Sequence, residues 1–440
     1  MTHHSSLITS FSSRRFALAL LFAVNLLNFF DRLILAAVTE PLRLEWELSD
    51  TRLGWLITAF TLLYAVVGLP MGRLADLRRR NLLLSAGLAL WSALTMLSGF
   101  ARNFWQLFAA RLGVGVGEAA CAPAATSLIG DLYRPNERAR AMSIFMLGLP
   151  AGVALSYLVG GAVAHHWGWR AVFYIAGAPG LLLAIGILFL REPQRGRSEE
   201  AEIGVRHRAG APIRIVFGIP TMRWIIISGL LHNFVMYAFT FFLPSLLVRY
   251  YHTTVQTAGL ISALIVGTVG ALGMLSGGWL ADAVRKRRQN GRMLVAAVAV
   301  LAAAPAGWFA LTARPEGLGV FISMQCLAAY LMYTYYPAVY ATIHDVIEPA
   351  LRGRAMAIYF FAMYMLGASM GPVATGWLSD FFAARAAAGA PVTEPIRALG
   401  LFQAMHIVPV LSVILALVLF RGAATAPKDM ARMRAVGSSR

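Results

Sequence analysis

The sequence has little cysteine and little charge. It contains two cysteines among 440 residues, Cys121 and Cys326, and only 13% of its residues are charged. Both cysteines lie in apolar stretches, so we predict no disulfide framework and two buried thiols that pack as small hydrophobic side chains. Scarce charge together with 59% hydrophobic residues and a mean hydropathy of +0.67 excludes a soluble globular protein and is typical of a polytopic membrane protein.

We also predict no cleavable signal peptide, because the first apolar stretch is too long and carries an Asp-Arg pair. Acidic residues are scarce: 20 Asp and Glu stand against 38 Lys and Arg, which gives a net charge of +18. In the topology predicted below, most basic residues fall on the side of both termini, as the positive-inside rule describes. We therefore predict a protein of a bacterial inner membrane with both termini in the cytoplasm, and the charge requires no nucleic-acid partner.

Windows of about 20 apolar residues, the length that crosses a bilayer, predict twelve transmembrane helices. The predicted helices cover 16–38, 53–73, 81–100, 104–131, 139–163, 168–190, 221–249, 255–281, 292–312, 317–345, 352–378 and 398–421. The predicted fold class is therefore an all-α membrane protein. Its domains are an N-terminal six-helix bundle, a cytoplasmic central loop, a C-terminal six-helix bundle and a disordered cytoplasmic tail, over residues 1–190, 191–219, 220–421 and 422–440.

The two halves of the chain repeat each other. The sequence GRLAD at 72–76 recurs as GWLAD at 278–282, an offset of 206. A second block matches at an offset of 214, which pairs Asp131 with Asp345 and Arg138 with Arg352. The change of offset predicts an eight-residue insertion, which we place in the loop 312–317. Two pseudo-symmetric bundles of parallel topology predict a substrate site near the membrane midplane, between the repeats.

The first predicted helix carries an Asp-Arg pair deep inside the membrane. Asp31 and Arg32 lie about 15 residues into this helix, about 22 Å along an axis that rises about 1.5 Å per residue. Lipid cannot solvate a charge at that depth, so an ionisable residue there marks a candidate functional site. Asn25, Asn28 and Arg32 share one face, and Asp31 flanks it. This face is predicted to look at water, substrate or another charge.

The fourth predicted helix carries a second pair of charges. Arg111 and Glu118 are seven residues apart and share one stripe, and Arg111 lies at about the depth of Asp31. One interpretation is a buried network in which a carboxylate binds and releases a proton, since burial favours the neutral carboxyl and a nearby arginine favours the carboxylate. The alternative is a static cluster of ion pairs that only fixes the two helices against each other.

The sequence GRLADLRRR at 72–80, with its second copy GWLADAVRK at 278–286, resembles the signature loop of the major facilitator superfamily. The resemblance implies the two-bundle fold and a conformational latch. In the family the aspartate, here Asp76, contacts the start of helix 11 and holds the cytoplasmic side closed, and the repeat implies the same for Asp282 and helix 5. The predicted latch residues are Gly72, Asp76, Arg80, Arg138, Gly278, Asp282 and Arg352.

Four further segments resemble the Spinster branch of this superfamily, the sphingolipid and lysophospholipid transporters and their bacterial relatives. The segments are NLLNFFDR at 25–32, GVGEA at 115–119, SLIGDLYRPNERARAMSI at 127–144 and GGAVAHHWGWRAVF at 160–173. In that branch the charged residues of helices 1 and 4 serve proton coupling and substrate binding. The resemblance therefore implies proton coupling by Asp31 and Glu118. It implies substrate binding by Arg32 and Arg111, to which the polar face of helix 1 adds Asn28.

The second half has aromatic residues where the first half has charges. At a repeat offset of 205, Asp31 and Arg32 align with Met236 and Tyr237. The seventh, tenth and eleventh predicted helices are rich in aromatic residues, many of which ordinary packing explains. A cavity that is charged on one side and aromatic on the other fits an amphiphile with an anionic head and an apolar tail. The candidate tail-binding residues are Phe234, Tyr237, Tyr333 and Tyr336.

These features favour a transporter. An enzyme would need a nucleophile with its base or a cluster of metal ligands, so we predict no enzymatic activity, no metal and no cofactor, and we interpret the lone His232 and His406 as packing residues. The leading hypothesis is a proton-coupled secondary transporter, a monomer that moves a lysophospholipid-like or sphingosine-1-phosphate-like anion by alternating access. Its partners would be this anion, protons and membrane lipids. The alternatives are a symporter of a small organic anion such as a sugar acid, and a multidrug exporter.

Overall fold

The structure is a computed structural model that describes residues 2–190, 192–193, 214–348 and 351–438. Within these ranges, side chains are described from Arg14 to Met433 except those of Leu69, Asp76, Pro135, Asn136 and Ala139. Two predicted features lie outside this part of the chain: the carboxylate of Asp76, and most of the charged loop between 191 and 213.

The described chain is helical, and it divides into two compact units. The first unit comprises Met1–Trp46 and Ala59–Gly204, and the second comprises Glu47–Thr58 and Val205–Arg440. The helix that begins at Asp50 therefore starts in the second unit and ends in the first. The predicted domain boundaries at 190 and 220 stay a prediction.

The helices of the first unit pack through glycine. They are α1 (Thr2–Trp46), most of α2 (Asp50–Leu77), α3 (Arg80–Ser98), α4 (Phe104–Glu118), α5 (Cys121–Leu132), α6 (Pro135–Met146) and α7 (Gly148–Leu188). A Cβ on Gly152 of α7 would lie 2.3 Å from the backbone oxygen of Leu26 in α1. A Cβ on Gly177 would lie 2.4 Å from the backbone oxygen of Ser92 in α3. Small residues thus let α1 and α3 approach α7 closely, as is usual for helices that associate in a membrane.

A break in α7 sets the number of membrane crossings. The helix has 41 residues, about 60 Å at 1.5 Å per residue, which is twice the thickness of a hydrocarbon core. Gly168 interrupts it with φ 80° and ψ 163°, a conformation open to glycine but strained for other residues. Among the described residues, eleven helical segments are long and apolar enough to span a membrane. Counting α7 as two segments gives the twelve predicted crossings.

The second unit contains eleven further helices in its described part. They are α8 (Arg214–Phe217), α9 (Pro220–Arg249), α10 (Val255–Ser262), α11 (Gly270–Arg287), α12 (Gly291–Ala310), α13 (Leu318–Tyr333), α14 (Tyr335–Val346), α15 (Arg352–Ala362), α16 (Ser369–Ala387), α17 (Glu394–Ala404) and α18 (Ile407–Ser438). Two π-helical turns, Ala263–Val269 and Met363–Ala368, join α10 to α11 and α15 to α16. A Cβ on Gly367 would lie 2.5 Å from the backbone oxygen of Leu230, so the second π turn packs tightly against α9.

The prediction of a disordered tail after Arg421 is wrong. Helix α18 continues to Ser438, and Asp429 on it is only 4% exposed. The carboxylate of Asp429 accepts hydrogen bonds from the backbone nitrogen and the hydroxyl of Thr221, at 2.9 and 2.6 Å. An anion at the start of α9 is favourable because the first backbone N–H groups of a helix lack partners. The tail is thereby held to α9 within the second unit.

The predicted place of the eight-residue insertion is also wrong. Helix α3 begins at Arg80, and its repeat partner α12 begins at Gly291, an offset of 211. Most of the change from 206 to 214 therefore occurs before α12, where α11 is extended and a longer turn follows. Only a minor part of the change falls in the loop 312–317.

Candidate transport site

Four predicted ionisable residues come together inside the first unit. Asp31 and Arg32 lie on α1, Arg111 and Glu118 lie on α4, and none is more than 3% exposed. The apolar sequence around them explains this burial, because the α1 residues from 33 to 38 are themselves buried. Asn28 lies one turn before Arg32 and is 3% exposed. The structure thus places the predicted residues together, and their roles in binding stay predictions.

Glu118 receives two hydrogen bonds on one carboxylate oxygen and none on the other. Its Oε2 accepts from Asn28 Nδ2 at 2.8 Å and from Arg32 Nε at 2.9 Å. Its Oε1 is buried and accepts no hydrogen bond from the described part of the chain. Leaving a buried acceptor unsatisfied costs about 1–3 kcal/mol. Oε1 is therefore the oxygen on which a bound proton would remove the cost of this unsatisfied buried acceptor.

Asp31 and Arg111 form a second and looser pair. Arg111 donates from Nη1 to Asp31 Oδ1 at 3.4 Å and from Nη2 to the backbone oxygen of Asp31 at 3.3 Å. Charge-assisted hydrogen bonds are ordinarily about 2.7–2.9 Å long. Arg111 Nε is buried and has no partner among the described residues. Asp31 Oδ2 accepts a shorter bond, 2.8 Å, from Thr95 Oγ1 on α3. Arg111 thus retains unused hydrogen-bond donors.

Aromatic rings cover both guanidinium groups. Arg32 Cζ lies 4.2 Å from the ring centre of Tyr64, 4.9 Å from that of Phe29 and 5.6 Å from that of Phe60. Arg111 Cζ lies 5.5 Å from the same Phe60 ring. An aromatic face stabilises a cation by about 0.5–2 kcal/mol but does not neutralise it. The rings therefore hold two positive charges in place while leaving them able to pair with an anion.

The sequence analysis missed Thr95, Phe60 and Tyr64. Phe60 and Tyr64 are four residues apart and so share one face of α2, which is a detectable pattern. That spacing is equally common in ordinary packing, so it indicated no site. Thr95 is one hydroxyl in an apolar helix, and nothing in the sequence links it to Asp31, 64 residues away.

The predicted tail-binding residues lie in the second unit. The ring of Tyr237 lies 6.5 Å from that of Tyr364, and the ring of Tyr333 lies 6.0 Å from that of Tyr336. Phe234, like Tyr237 and Tyr336, is half-buried. Tyr333 is only 9% exposed and lines a cavity of about 30 Å³ within this unit. The structure thus separates three partly accessible aromatic residues from one interior residue.

Arg80 and Arg292 make equivalent contacts in the two halves. Arg80, which is 1% exposed, donates to Asp131 and, at 3.2 Å, to Glu192 Oε1. Arg292 Nη1 donates to Asp345 Oδ2 at 2.6 Å. Each arginine joins the start of one helix to the end of another, α3 to α5 and α12 to α14. The sequence repeat paired Asp131 with Asp345 but did not pair Arg80 with Arg292. The insertion lies around this position, so Arg292 follows Arg80 by neither of the two repeat offsets, 206 and 214.

Of the remaining latch residues, Asp282 and Arg352 have partners within the second unit. Asp282 Oδ1 accepts hydrogen bonds from Arg292 Nε and Nη2, at 2.9 and 2.7 Å, while its side chain is 63% exposed. Arg352 Nη2 donates to the backbone oxygen of His344 at 3.0 Å, and Arg138 lies half-buried on α6. The closing of a cytoplasmic gate by these residues stays a prediction.

The two latch glycines do not lie at close helix contacts. A Cβ on Gly278 would be 3.5 Å from Pro337, an ordinary van der Waals distance. A Cβ on Gly72 would meet no described atom within 4 Å. Gly72 therefore marks no close approach of helices among the described residues of this conformation.

A second buried charge cluster, which the sequence analysis missed, lies in the second unit at the start of α2. Arg249 donates two hydrogen bonds of 2.8 Å to the two carboxylate oxygens of Asp50, and Ser379 Oγ donates a third at 2.6 Å. The carboxylate of Asp380 accepts from the backbone nitrogens of Asp50 and Thr51, at 3.1 and 2.9 Å, and so caps α2. The cluster fixes the first turn of α2 to α9 and α16.

Comparison with known proteins identifies the family. The sequence model of one protein family, the Major Facilitator Superfamily, matches residues 21–372. The chain is 30% identical over 409 residues to protein spinster homolog 1 of Bos taurus, covering 85% of this chain and 75% of that protein. It is 29% identical over 378 residues to an MFS-type efflux pump of Mycolicibacterium smegmatis, covering 83% of this chain and 84% of that one.

A solved structure agrees over nearly the full length. The crystal structure of a bacterial homologue of the human lysosomal transporter Spinster, in an inward-facing and unoccupied conformation, has a TM-score of 0.86 at 28% identity. The match covers 95% of this chain and 98% of that one. These findings confirm the predicted all-α membrane fold, the resemblance to the Spinster branch and the prediction of a transporter rather than an enzyme. The chain belongs to the major facilitator superfamily and is an integral membrane secondary transporter of a small molecule, related to the Spinster proteins.

Proposed function

We propose that the protein is a proton-coupled transporter of an amphiphilic anion, such as a lysophospholipid or a sphingosine-1-phosphate-like lipid. The observation that carries the proposal is the half-satisfied carboxylate of Glu118. Its Oε2 bonds to Asn28 and Arg32, while its Oε1 is buried and has no described partner. The candidate proton acceptor thus contacts the candidate anion-binding cation directly.

Glu118 and the anionic head compete for Arg32. An ionised Glu118 holds Arg32 Nε through a charge-assisted hydrogen bond. A proton on Oε1 removes that negative charge, and Arg32 can then pair with an incoming anion. The bound anion in turn takes away the cation that stabilises the carboxylate, so it favours the protonated form of Glu118. Proton and anion therefore bind cooperatively, and each raises the affinity of the other by the same factor.

The second pair supplies another cation and another carboxylate. Arg111 bonds Asp31 only at 3.3–3.4 Å and keeps a buried Nε without a described partner. Two guanidinium groups offer the planar, paired donors that match a phosphate or a carboxylate. We place the head between α1 and α4, against Arg32 and Arg111, and we assign Asp31 as the second residue that exchanges the coupling proton.

We propose that the apolar tail lies on aromatic residues of the second unit. Phe234, Tyr237 and Tyr336 are half-buried, so part of each side chain is accessible. Tyr333 is 9% exposed and its ring lies 6.0 Å from that of Tyr336, and we propose that the two rings contact the tail together. Each methylene that leaves water is worth about 0.8 kcal/mol, so even a partly enclosed tail adds substantially to affinity.

The orientation and the latch belong to the same proposal. The positive-inside pattern supports both termini in the cytoplasm of a bacterial inner membrane, and we propose that the transporter acts as a monomer. Asp76 is proposed to cap the eleventh predicted transmembrane helix, 352–378, and Asp282 to cap the fifth, 139–163, as the family resemblance implies. The two caps would close the cytoplasmic side. For Asp282 this cap would replace the exposed pair with Arg292.

A chain-length series tests the substrate class. Binding of lysophospholipids that differ by two methylenes is measured on the purified protein, below the critical micelle concentration of each lipid. We expect affinity to rise about fourfold per methylene until the tail fills its site. Arg111→Ala should weaken every member of the series by about tenfold without changing the slope, because it removes charged hydrogen bonds to the head only. Arg314→Ala, at an exposed arginine of the second unit, is the control.

Each part of the proposal has its own contrary result. A flat response to chain length contradicts an amphiphilic substrate and favours a small organic anion such as a sugar acid. Undiminished binding in Arg111→Ala contradicts the placement of the head. Binding of lipophilic cations that matches or exceeds binding of the lipids favours a multidrug exporter.

A further inference from the structure

A crevice of about 620 Å³ opens between the end of α16 and the junction of α17 with α18. Phe382 and Ala386 form its apolar part, and Arg385, Gln403 and His406 form its polar part. All five residues belong to the second unit, and none of them is among the residues proposed to bind the head or the tail of the transported anion. The transport proposal therefore assigns no role to this crevice.

The polar side chains of the crevice are largely unused by the protein. Arg385 and Gln403 are exposed, and neither side chain makes a hydrogen bond or ion pair with another described residue. His406 uses one ring nitrogen, Nδ1, which lies 3.1 Å from the backbone oxygen of Phe402. Its Nε2 stays available. The Arg385 guanidinium and the Gln403 amide thus converge on one opening, and both can donate to phosphate oxygens. His406 uses its Nδ1–H on the Phe402 carbonyl, so in the neutral ring its Nε2 is an acceptor that can receive a hydrogen bond from a headgroup hydroxyl.

One exposed aromatic ring contacts the crevice, and two more precede Arg385 by one and two turns of α16. Trp308 packs edge-on against His406 at 5.1 Å and is 46% exposed. Trp377 and Phe381 stack at 5.7 Å and are 57% and 46% exposed. Tryptophan is enriched where a membrane protein meets the lipid headgroups. Helix α16 ends at Ala387, only two residues after Arg385, so Arg385 lies near the level at which the helix leaves the membrane.

We propose that this crevice binds the headgroup of an anionic membrane glycerophospholipid, with the phosphodiester against Arg385 and Gln403 and the polar part of the headgroup beside His406. Basic pockets between transmembrane helices bind anionic headgroups on the cytoplasmic side of membranes, and Arg385 offers the same charge at the opposite side. The acyl chains then lie along the exposed rings beside the crevice. A lipid fits better than a free phosphate, because a free phosphate would leave the aromatic border unused. In the predicted orientation the lipid comes from the outer leaflet.

Photolabelling tests this lipid site directly. The protein is reconstituted in phosphatidylcholine vesicles with a trace of phosphatidylglycerol that carries a photoactivatable group on one acyl chain, and labelled peptides are mapped. We expect labelling of peptides between 377 and 410, reduced about tenfold by Arg385→Gln, since the variant loses the charged hydrogen bonds to the phosphate. Arg314→Gln, which removes an exposed arginine of the same unit outside the crevice, should label like the parent.

Competition distinguishes the sources of the phosphate. Unlabelled phosphatidylglycerol should suppress the labelling, while additional phosphatidylcholine or sodium phosphate should leave it nearly unchanged. Suppression by sodium phosphate as strong as that by phosphatidylglycerol would show a site for free anions and overturn the lipid assignment. Equal labelling of the parent and Arg385→Gln, or no labelling of these peptides in the parent, would also overturn it. None of these readouts depends on transport or on the residues of α1 and α4.

Discussion

The transporter has two buried charge clusters that are built differently. At Asp50, both carboxylate oxygens receive short hydrogen bonds, two of 2.8 Å from Arg249 and one of 2.6 Å from Ser379. At Glu118, one oxygen has no described partner, and in the neighbouring pair Arg111 reaches Asp31 only at 3.3–3.4 Å. Both clusters are almost fully buried, so exposure does not distinguish them.

The difference lies in what each cluster can still do. A buried ion pair is costly to break but adds little net stability over apolar residues of the same volume, and it becomes a firm support when all its hydrogen bonds are made. The Asp50 cluster meets that condition. The Glu118 cluster keeps an unsatisfied acceptor and an unsatisfied donor, which weakens it as a structural support and leaves it able to take up a proton and an anion. We therefore assign structure to the first cluster and transport to the second.

Breaking the satisfied cluster should have the largest effect. Arg249→Ala leaves the Asp50 carboxylate buried without its cation, and we expect the free energy of unfolding to fall by about 3–5 kcal/mol. Thermal unfolding of the purified protein in detergent measures the loss. Arg111→Ala should cost distinctly less stability, because Arg111 makes only long hydrogen bonds.

A double variant sharpens this first prediction. Asp50→Leu combined with Arg249→Met removes both charges and should recover much of the stability lost in Arg249→Ala, as expected when an uncompensated charge is the cause. Equal unfolding temperatures for Arg249→Ala and Arg111→Ala would contradict the distinction between the clusters.

The hydroxyl of Thr95 should have an intermediate effect. Thr95→Val removes the 2.8 Å hydrogen bond to Asp31 Oδ2 and should lower stability by about 1 kcal/mol. Because Asp31 would then shift relative to Arg111, we also expect affinity for the anionic substrate to fall several-fold. Thr95→Ser keeps the hydroxyl and should restore affinity. Ser85→Ala on the same helix, which removes a bond to the backbone oxygen of Ala184, is the control. A loss of affinity in Ser85→Ala as large as that in Thr95→Val would show a general effect of stability.

An exposed ion pair should matter least. Asp282 pairs with Arg292 at 2.7 Å, but its side chain is 63% exposed. Surface pairs contribute about 0–1 kcal/mol because water and ions screen them. Asp282→Asn should therefore change the unfolding temperature very little. A fall in unfolding temperature close to that of Arg249→Ala would contradict the claim that burial makes the Asp50–Arg249 pair more important for stability than an exposed pair.

The sequence predicted the transport cluster better than the structural one. Asp31 and Glu118 stand out because charge is rare inside apolar windows of membrane length. Asp50 and Arg249 lie at the ends of such windows, where charges are common, and their pairing over 199 residues leaves no local pattern. Thr95 and Phe60 escaped notice for a similar reason, since a threonine or a phenylalanine in an apolar helix is ordinary. The order of the tail also depends on a distant contact, between Asp429 and Thr221.

Proton uptake on substrate binding tests the central claim most directly. Calorimetric titration of the purified protein with a lysophospholipid, in buffers of different ionisation enthalpy near neutral pH, gives the number of protons taken up per anion bound. The account predicts clear uptake by the parent. It predicts uptake close to zero in Glu118→Gln, whose neutral side chain imitates the protonated acid, with affinity equal to or above that of the parent. Glu45→Gln, at an exposed carboxylate of α1 paired with Arg170, should behave like the parent. Undiminished proton uptake in Glu118→Gln would contradict the account.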